Sequence, residues 1–326
     1  MVPQYARLSS VLAVAALAAF SLPTLRAQQD VPAAPPSAPA PAAAPTFPAP
    51  DPANFTATTP TKETVNAFMQ TSWGFDDSRV WQVQAILKTP VEGISKVVVL
   101  VGDKTGKQKS SGIQFFVLPD GKHIIAGDEI INFGEHPYTE QRAELQKRAD
   151  GPYRGSASKD LEIVEFADFQ CPHCKEAQAN MDKLAVDYPQ ARFVFENFPL
   201  ARIHAQAVTA AEYAVCVTKL GGSNAFFTFA AAVFEGQEGL STADGATLTL
   251  NSGVTKAGLD PAKVAACVAL PATGKTVEDS TKLAEDLDIN QTPTLMVNGR
   301  QVPANAPYDT LKQIIDYQIK LDGLKK

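Results

Sequence analysis

The segment Cys171-Pro172-His173-Cys174 constrains this chain more than any other, because it puts two thiols three positions apart where a strand gives way to a helix. Upstream, Leu161-Glu162-Ile163-Val164-Glu165-Phe166 reads as a buried strand. Downstream, Lys175 to Tyr188 reads as an amphipathic helix with Ala177, Met181, Leu184 and Ala185 on one face. The start of a helix carries unpaired N–H groups and the positive end of the peptide dipole, so it favours an anion. Cys171 is therefore expected to ionise more easily than a free thiol of pKa ~8.5 and to act as the nucleophile in solvent reach, with Cys174, one turn inside, shielded and resolving. Pro172 suits the first helical turn, where a missing N–H costs nothing. His173 adds a donor and, when protonated, a positive charge beside the sulfur. The plain alternative is a buried, inert disulfide. A zinc site would need about two more ligands, and the other cysteines, Cys216 and Cys267, do not form a second close pair, so no metal is expected.

The rest of the chain divides by composition. Arg7 precedes the apolar run Val11 to Phe20, which ends in Leu25-Arg26-Ala27, so residues 1–27 read as a signal peptide. The run is short for a membrane span. It places the body in the periplasm or another extracytoplasmic compartment, tethered to the membrane if it stays uncleaved, and there disulfides persist. Residues 28–60 are dominated by proline and alanine and read as an extended linker. Residues 61–138 open with a helical pattern at Thr64, Val65, Phe68 and Met69. Strands Lys96 to Val101, Gly112 to Leu118 and His123 to Ala126 follow, making a small α+β unit. Residues 139–155 are highly charged and read as an exposed connecting helix ended by Gly151-Pro152. Residues 156–326 alternate strand, helix, strand (Ala191 to Glu196), a long helical stretch from Ala205 to Ala269, a strand Thr294 to Val297 and a final helix from Tyr308. That order implies an α/β domain with a helical insertion. The net charge of −6 comes with no basic patch, which argues against a nucleic-acid partner.

Glu165 shares strand parity with Leu161, Ile163 and Ala167, so its carboxyl is expected to be buried. A buried carboxyl has a raised pKa, which suits proton exchange with Cys174. Gln291-Thr292-Pro293-Thr294 puts a proline at the mouth of the last strand, compatible with either a trans or a cis bond.

Glu165-Phe166, Cys171-Pro172-His173-Cys174 and Thr292-Pro293, in that order and spacing, resemble the thioredoxin-fold DsbA family of exported thiol-disulfide oxidoreductases. The resemblance covers about half the chain. It implies Cys171 as nucleophile, Cys174 as resolving thiol, His173 as stabiliser of the thiolate, Glu165 as buried acid and Pro293 as a cis-proline against the disulfide. Thr292 would offer its backbone to a substrate strand, and Cys216 and Cys267 would form a structural disulfide clipping the insertion. The redox-active Cys171–Cys174 disulfide would serve in place of a cofactor. Client proteins with cysteines and a membrane redox partner that resets the disulfide would be its partners. Thr89-Pro90-Val91-Glu92-Gly93 and Pro119-Asp120-Gly121, with their flanking strands, resemble the cystatin-like N-terminal module of the DsbC and DsbG isomerases, which implies a homodimer. The Pro172-His173 dipeptide is oxidase-like, and this module is isomerase-like. Disulfide donation is thus the expected activity, with a dimeric isomerase or reductase as the alternative and a client-binding chaperone without redox turnover as a third. His204 is expected to pack at a helix start.

Overall fold

The computed structural model describes residues 47–105 and 109–325; the expected signal peptide and the first part of the linker, up to residue 46, lie outside them. Helix α1 (Lys62–Trp73) starts where the Thr61 hydroxyl accepts from the Thr64 N–H at 3.2 Å, and it buries Val65, Phe68 and Met69. These side chains pack on an antiparallel meander of β1 (Arg79–Lys88), β2 (Ser95–Asp103), β3 (Ser111–Val117), β4 (His123–Ala126) and β5 (Glu129–Asn132), in that order across the sheet. β1 was not expected. Its register shifts between Val83 and Ala85, so buried side chains fall at 83, 85 and 86 and the period-two signature of a strand is lost. β5 also escaped, because it is a short edge strand with Ile130 and Ile131 exposed. The end of the proline-rich segment belongs here too, since Phe55 bridges to Ile86 and packs with Ala57 against this core.

Helix α2 (Thr139–Arg148) forms where a connecting helix was expected, but it is docked rather than free. Leu145 and the following Ala149 are 2% and 0% exposed and pack with Val164 and Phe166. The next strand, β6 (Tyr153–Gly155), lies inside the segment expected to be a linker and pairs with the second sheet.

That sheet has the order β10-β9-β7-β8-β6, built from β7 (Glu162–Ala167), β8 (Arg192–Asn197), β9 (Thr294–Val297) and β10 (Arg300–Pro303) around the edge strand β6. β7 runs parallel to β8 and antiparallel to β9. Helices α3 (Pro172–Asp187) and α8 (Tyr308–Leu321) contribute Met181, Leu184, Leu311 and Ile315 to one core. The insertion consists of α4 (Ala207–Glu235), α5 (Ala243–Lys256), α6 (Pro261–Val268) and α7 (Pro271–Asp286). The expected helical stretch stopped at Ala269, so α7 is an addition. The Cys216–Cys267 disulfide is formed and ties α4 to α6, with the Thr273 hydroxyl donating to the Cys267 carbonyl at 2.8 Å. Every residue of β7 is buried, which is what a central strand covered on both faces requires.

The described residues fall within one compact unit. Arg300 on β10 helps to join the second sheet to α1. Its buried guanidinium donates to the Ser72 carbonyl at 2.9 Å and to the Thr71 carbonyl, satisfying acceptors that the last turn of α1 leaves unpaired. Among the described residues, no helix is long and apolar enough to cross a membrane.

Candidate active site

β7 delivers its C-terminal end to the helix start of α3, and Cys171 is the N-cap residue of that helix with Pro172 in its first turn. The Cys171 thiol is depressed to about 5. The Cys174 thiol hydrogen-bonded to it is the largest cause, opposed by burial and followed by the Thr292 side chain and the backbone N–H groups of Cys174 and His173. The Thr292 hydroxyl is buried and has no hydrogen-bond partner among the protein atoms, which leaves it free to donate to a thiolate. In the protonated state the Cys171 Sγ instead donates to the Thr292 carbonyl, at 3.6 Å.

Cys174 behaves in the opposite way. It is 0% exposed, and burial, then its hydrogen bond to Cys171, push its thiol far up. The Asp168 N–H donates to its Sγ at 3.4 Å. Both cysteines are reduced in the structure. The site is thus electrically asymmetric: the outer sulfur ionises readily, the inner one does not.

Two expectations about this turn need correction. Cys171 is only 5% exposed and belongs to a buried core cluster with Phe169 of its own loop and with Phe234 and Leu240 of the insertion. The His173 ring does not hydrogen-bond the sulfur: it is 63% exposed and its Nδ1 lies 3.0 Å from Glu176 Oε2. Glu176 is also the main reason that the imidazole is held more basic, with the Cys171 charge contributing less. His173 reaches Cys171 chiefly through its backbone.

Glu165 is buried, as expected, although with both faces of β7 covered its parity was not the reason. Loss of solvent raises its carboxyl to about 7, partly offset by a hydrogen bond from Gln178 and the charge of Arg154. Its charge in turn raises Cys174 further. The Thr292–Pro293 bond is cis, and Pro293 leads into β9 beside β7.

Three residues of the site were not read from the sequence. Gln178, one helical turn after Cys174, donates to Glu165 Oε1 at 3.0 Å and to the Cys174 carbonyl at 3.2 Å. Gln237 donates to the carbonyls of Phe169 and Cys171, both at 2.8 Å, and so fastens the cysteine loop to the insertion. Asp168 accepts from the Gln170 and Leu200 N–H groups and pairs with His204 Nδ1 at 2.7 Å. His204 is therefore a structural partner of a buried carboxylate rather than simple packing. Only the spacing of Gln178 from Cys174 carried any signal; the other two contacts cross distant segments.

A dithiol at a helix start, an acid on the strand beneath it and a cis-proline opposite define a thioredoxin-type thiol-disulfide exchange centre. The family model described as "Thioredoxin" matches residues 147–317, just over half of the chain. The chain belongs to the thioredoxin family. Disulfide bond formation protein D of Bacillus subtilis is 24% identical over 176 residues, covering 52% of this chain and 77% of that protein. The Na(+)/H(+) antiporter NhaA 3 of Salinispora tropica is 30% identical over 156 residues. That match covers 48% of this chain, which spans only 22% of the antiporter's length. A thioredoxin-like oxidoreductase from Silicibacter pomeroyi is similar in structure with a TM-score of 0.47 and 24% identity, over 55% of this chain and 98% of that one.

Proposed function

We propose that this protein is an exported thiol-disulfide oxidoreductase that donates the Cys171–Cys174 disulfide to reduced client proteins. The observation that carries the reading is the asymmetry of the two thiols, Cys171 depressed to about 5 and Cys174 pushed far up. A client thiolate attacks Cys171 Sγ and a client–Cys171 bond forms as the Cys171–Cys174 bond breaks. The electron pair leaves on Cys174, which takes a proton from Glu165. A second client thiolate then attacks the client sulfur, releasing the client disulfide and the Cys171 thiolate. Two electrons move from client to enzyme, and a membrane redox partner would have to remove them. The low pKa of Cys171 makes it a good leaving group in that second step. In this reading Thr292 would pair its backbone with an extended client segment, which its cis bond to Pro293 and its carbonyl 3.6 Å from Cys171 Sγ support.

The N-terminal α+β module favours a second reading, a dimeric isomerase, in which the same mixed disulfide is used to reshuffle client bonds. Oxidised full-length protein, mixed with a reduced dithiol protein, tests the first. It should transfer its disulfide stoichiometrically, C174S mixed instead with a disulfide-bonded client should trap the mixed disulfide, and C171S should be inert. Retained client protection by C171S without electron transfer would favour a chaperone instead. Faster rescue of a scrambled client than of a reduced one would favour the isomerase.

A further inference from the structure

Glu165 faces two different surroundings. On the cysteine side, the Gln178 amide joins its carboxylate to the Cys174 carbonyl. On the side toward β6, a cavity of about 10 Å³ is lined by Glu165, Arg154, Met181, Phe195 and Phe227. That is close to the smallest volume that holds one water. Arg154 closes it. Its Nη1 donates to Asp182 Oδ1 at 2.7 Å and its guanidinium lies 4.9 Å from the Phe227 ring centre. Asp182 is 68% exposed, so the pair stands at the surface, while the Arg154 Nε–H behind it is buried and unpaired within the protein. An unpaired buried donor is costly, and a bridging water removes that cost. The charged and titratable groups acting on Glu165 are Arg154 from β6 and, from α3, Asp182 and Cys174.

We propose that one water, held by the Arg154 Nε–H against Glu165, is the route by which Glu165 exchanges its proton with solvent, and that Arg154 is the residue positioning it. The inference rests on the redox cycle above, in which Cys174 takes a proton from Glu165 as it leaves; where Glu165 has already ionised, that proton has to be supplied from solvent. No electrons travel this way: a proton passes from solvent to the water and from the water to the carboxylate. The path reaches the surface at the Arg154–Asp182 pair.

Arg154→Lys tests the idea, because it keeps the charge and removes the donor at Nε. Oxidised full-length wild type and R154K are mixed with excess reduced dithiol peptide, and formation of the mixed disulfide is followed by acid quench and mass spectrometry at pH 6 and pH 8. At pH 6 most Glu165 is already protonated and needs no delivery, so the two rates should agree. At pH 8 R154K should be slower by about tenfold, with the Cys171 thiolate absorbance titration unchanged. D182N, which keeps the donor but loosens its anchor, should show a smaller defect of the same pH signature. Equal rates at both pH values, or an equal slowing at both, would overturn the route while leaving the redox reading intact. Absence of any mixed disulfide in wild type would instead remove the redox reading, and the route with it.

Discussion

The Thr292 hydroxyl offers the sharpest test of why Cys171 is acidic. Thr292→Val is nearly isosteric and deletes a buried hydroxyl that has no other partner, so the fold loses nothing it had satisfied. With Cys171 at about 5, against ~8.5 for a free thiol, ionisation at pH 7 favours the reduced folded form by about 3 kcal/mol. The folded pKa is depressed, so this stabilisation is complete only above the unfolded thiol's pKa and disappears as pH falls through about 5. The disulfide form cannot share it, which makes the couple more oxidising by about 60 mV. Hydrogen bonds to charged groups are worth about 1.5–3 kcal/mol, so T292V should raise Cys171 to about 6–7 and lower the reduction potential by about 30–50 mV at pH 7. Thiolate absorbance against pH gives the first quantity and equilibration with glutathione gives the second. Below pH 4 the two proteins should have the same relative stability of reduced and oxidised forms. A T292V protein with unchanged pKa and potential would refute this account of the sulfur, as would a wild-type pKa near that of a free thiol.

Glu196 makes a prediction away from the cysteines: it is 4% exposed, raised to about 7 by burial, and accepts from Ser280 Oγ at 2.5 Å and the Gly151 N–H at 2.9 Å. Because its folded pKa lies above its unfolded one, it costs stability from about pH 4.5 upward, reaching about 3 kcal/mol above pH 7. E196Q should therefore be more stable than wild type in urea at pH 8.5 and indistinguishable at pH 4, and parallel pH profiles would contradict this. Replacing both Cys216 and Cys267 by alanine opens a loop with a sequence separation of 51. Chain entropy puts the loss at about 4 kcal/mol, read as a lower thermal midpoint with the Cys171 titration unmoved.

Much of the site was legible because its signals are local. Cys171, Pro172 and Cys174 declare themselves by spacing, and Val65, Phe68 and Met69 mark α1 by their helical period. β1 was hidden because a bulge broke its alternation, and β10 because four residues with alternate exposure carry little pattern. The linker expectation missed β6, since three residues pair there only because β8 presents an open edge.

By itself the sequence determined that two thiols of unequal surroundings would sit at a helix start, that an acid would lie on the strand beneath them and that a second cysteine pair was available to the insertion. Only the tertiary structure decided how those groups act. It paired His173 with Glu176 rather than with the sulfur, set the Thr292 hydroxyl free beside Cys171, and placed Gln178, Gln237 and Arg154 around the centre. The physical reason is distance along the chain. Helix caps and strand parity involve neighbouring residues, whereas the donors that set Cys171 and Glu165 come from segments up to 121 residues away and meet only when the sheet, the insertion and α3 have packed.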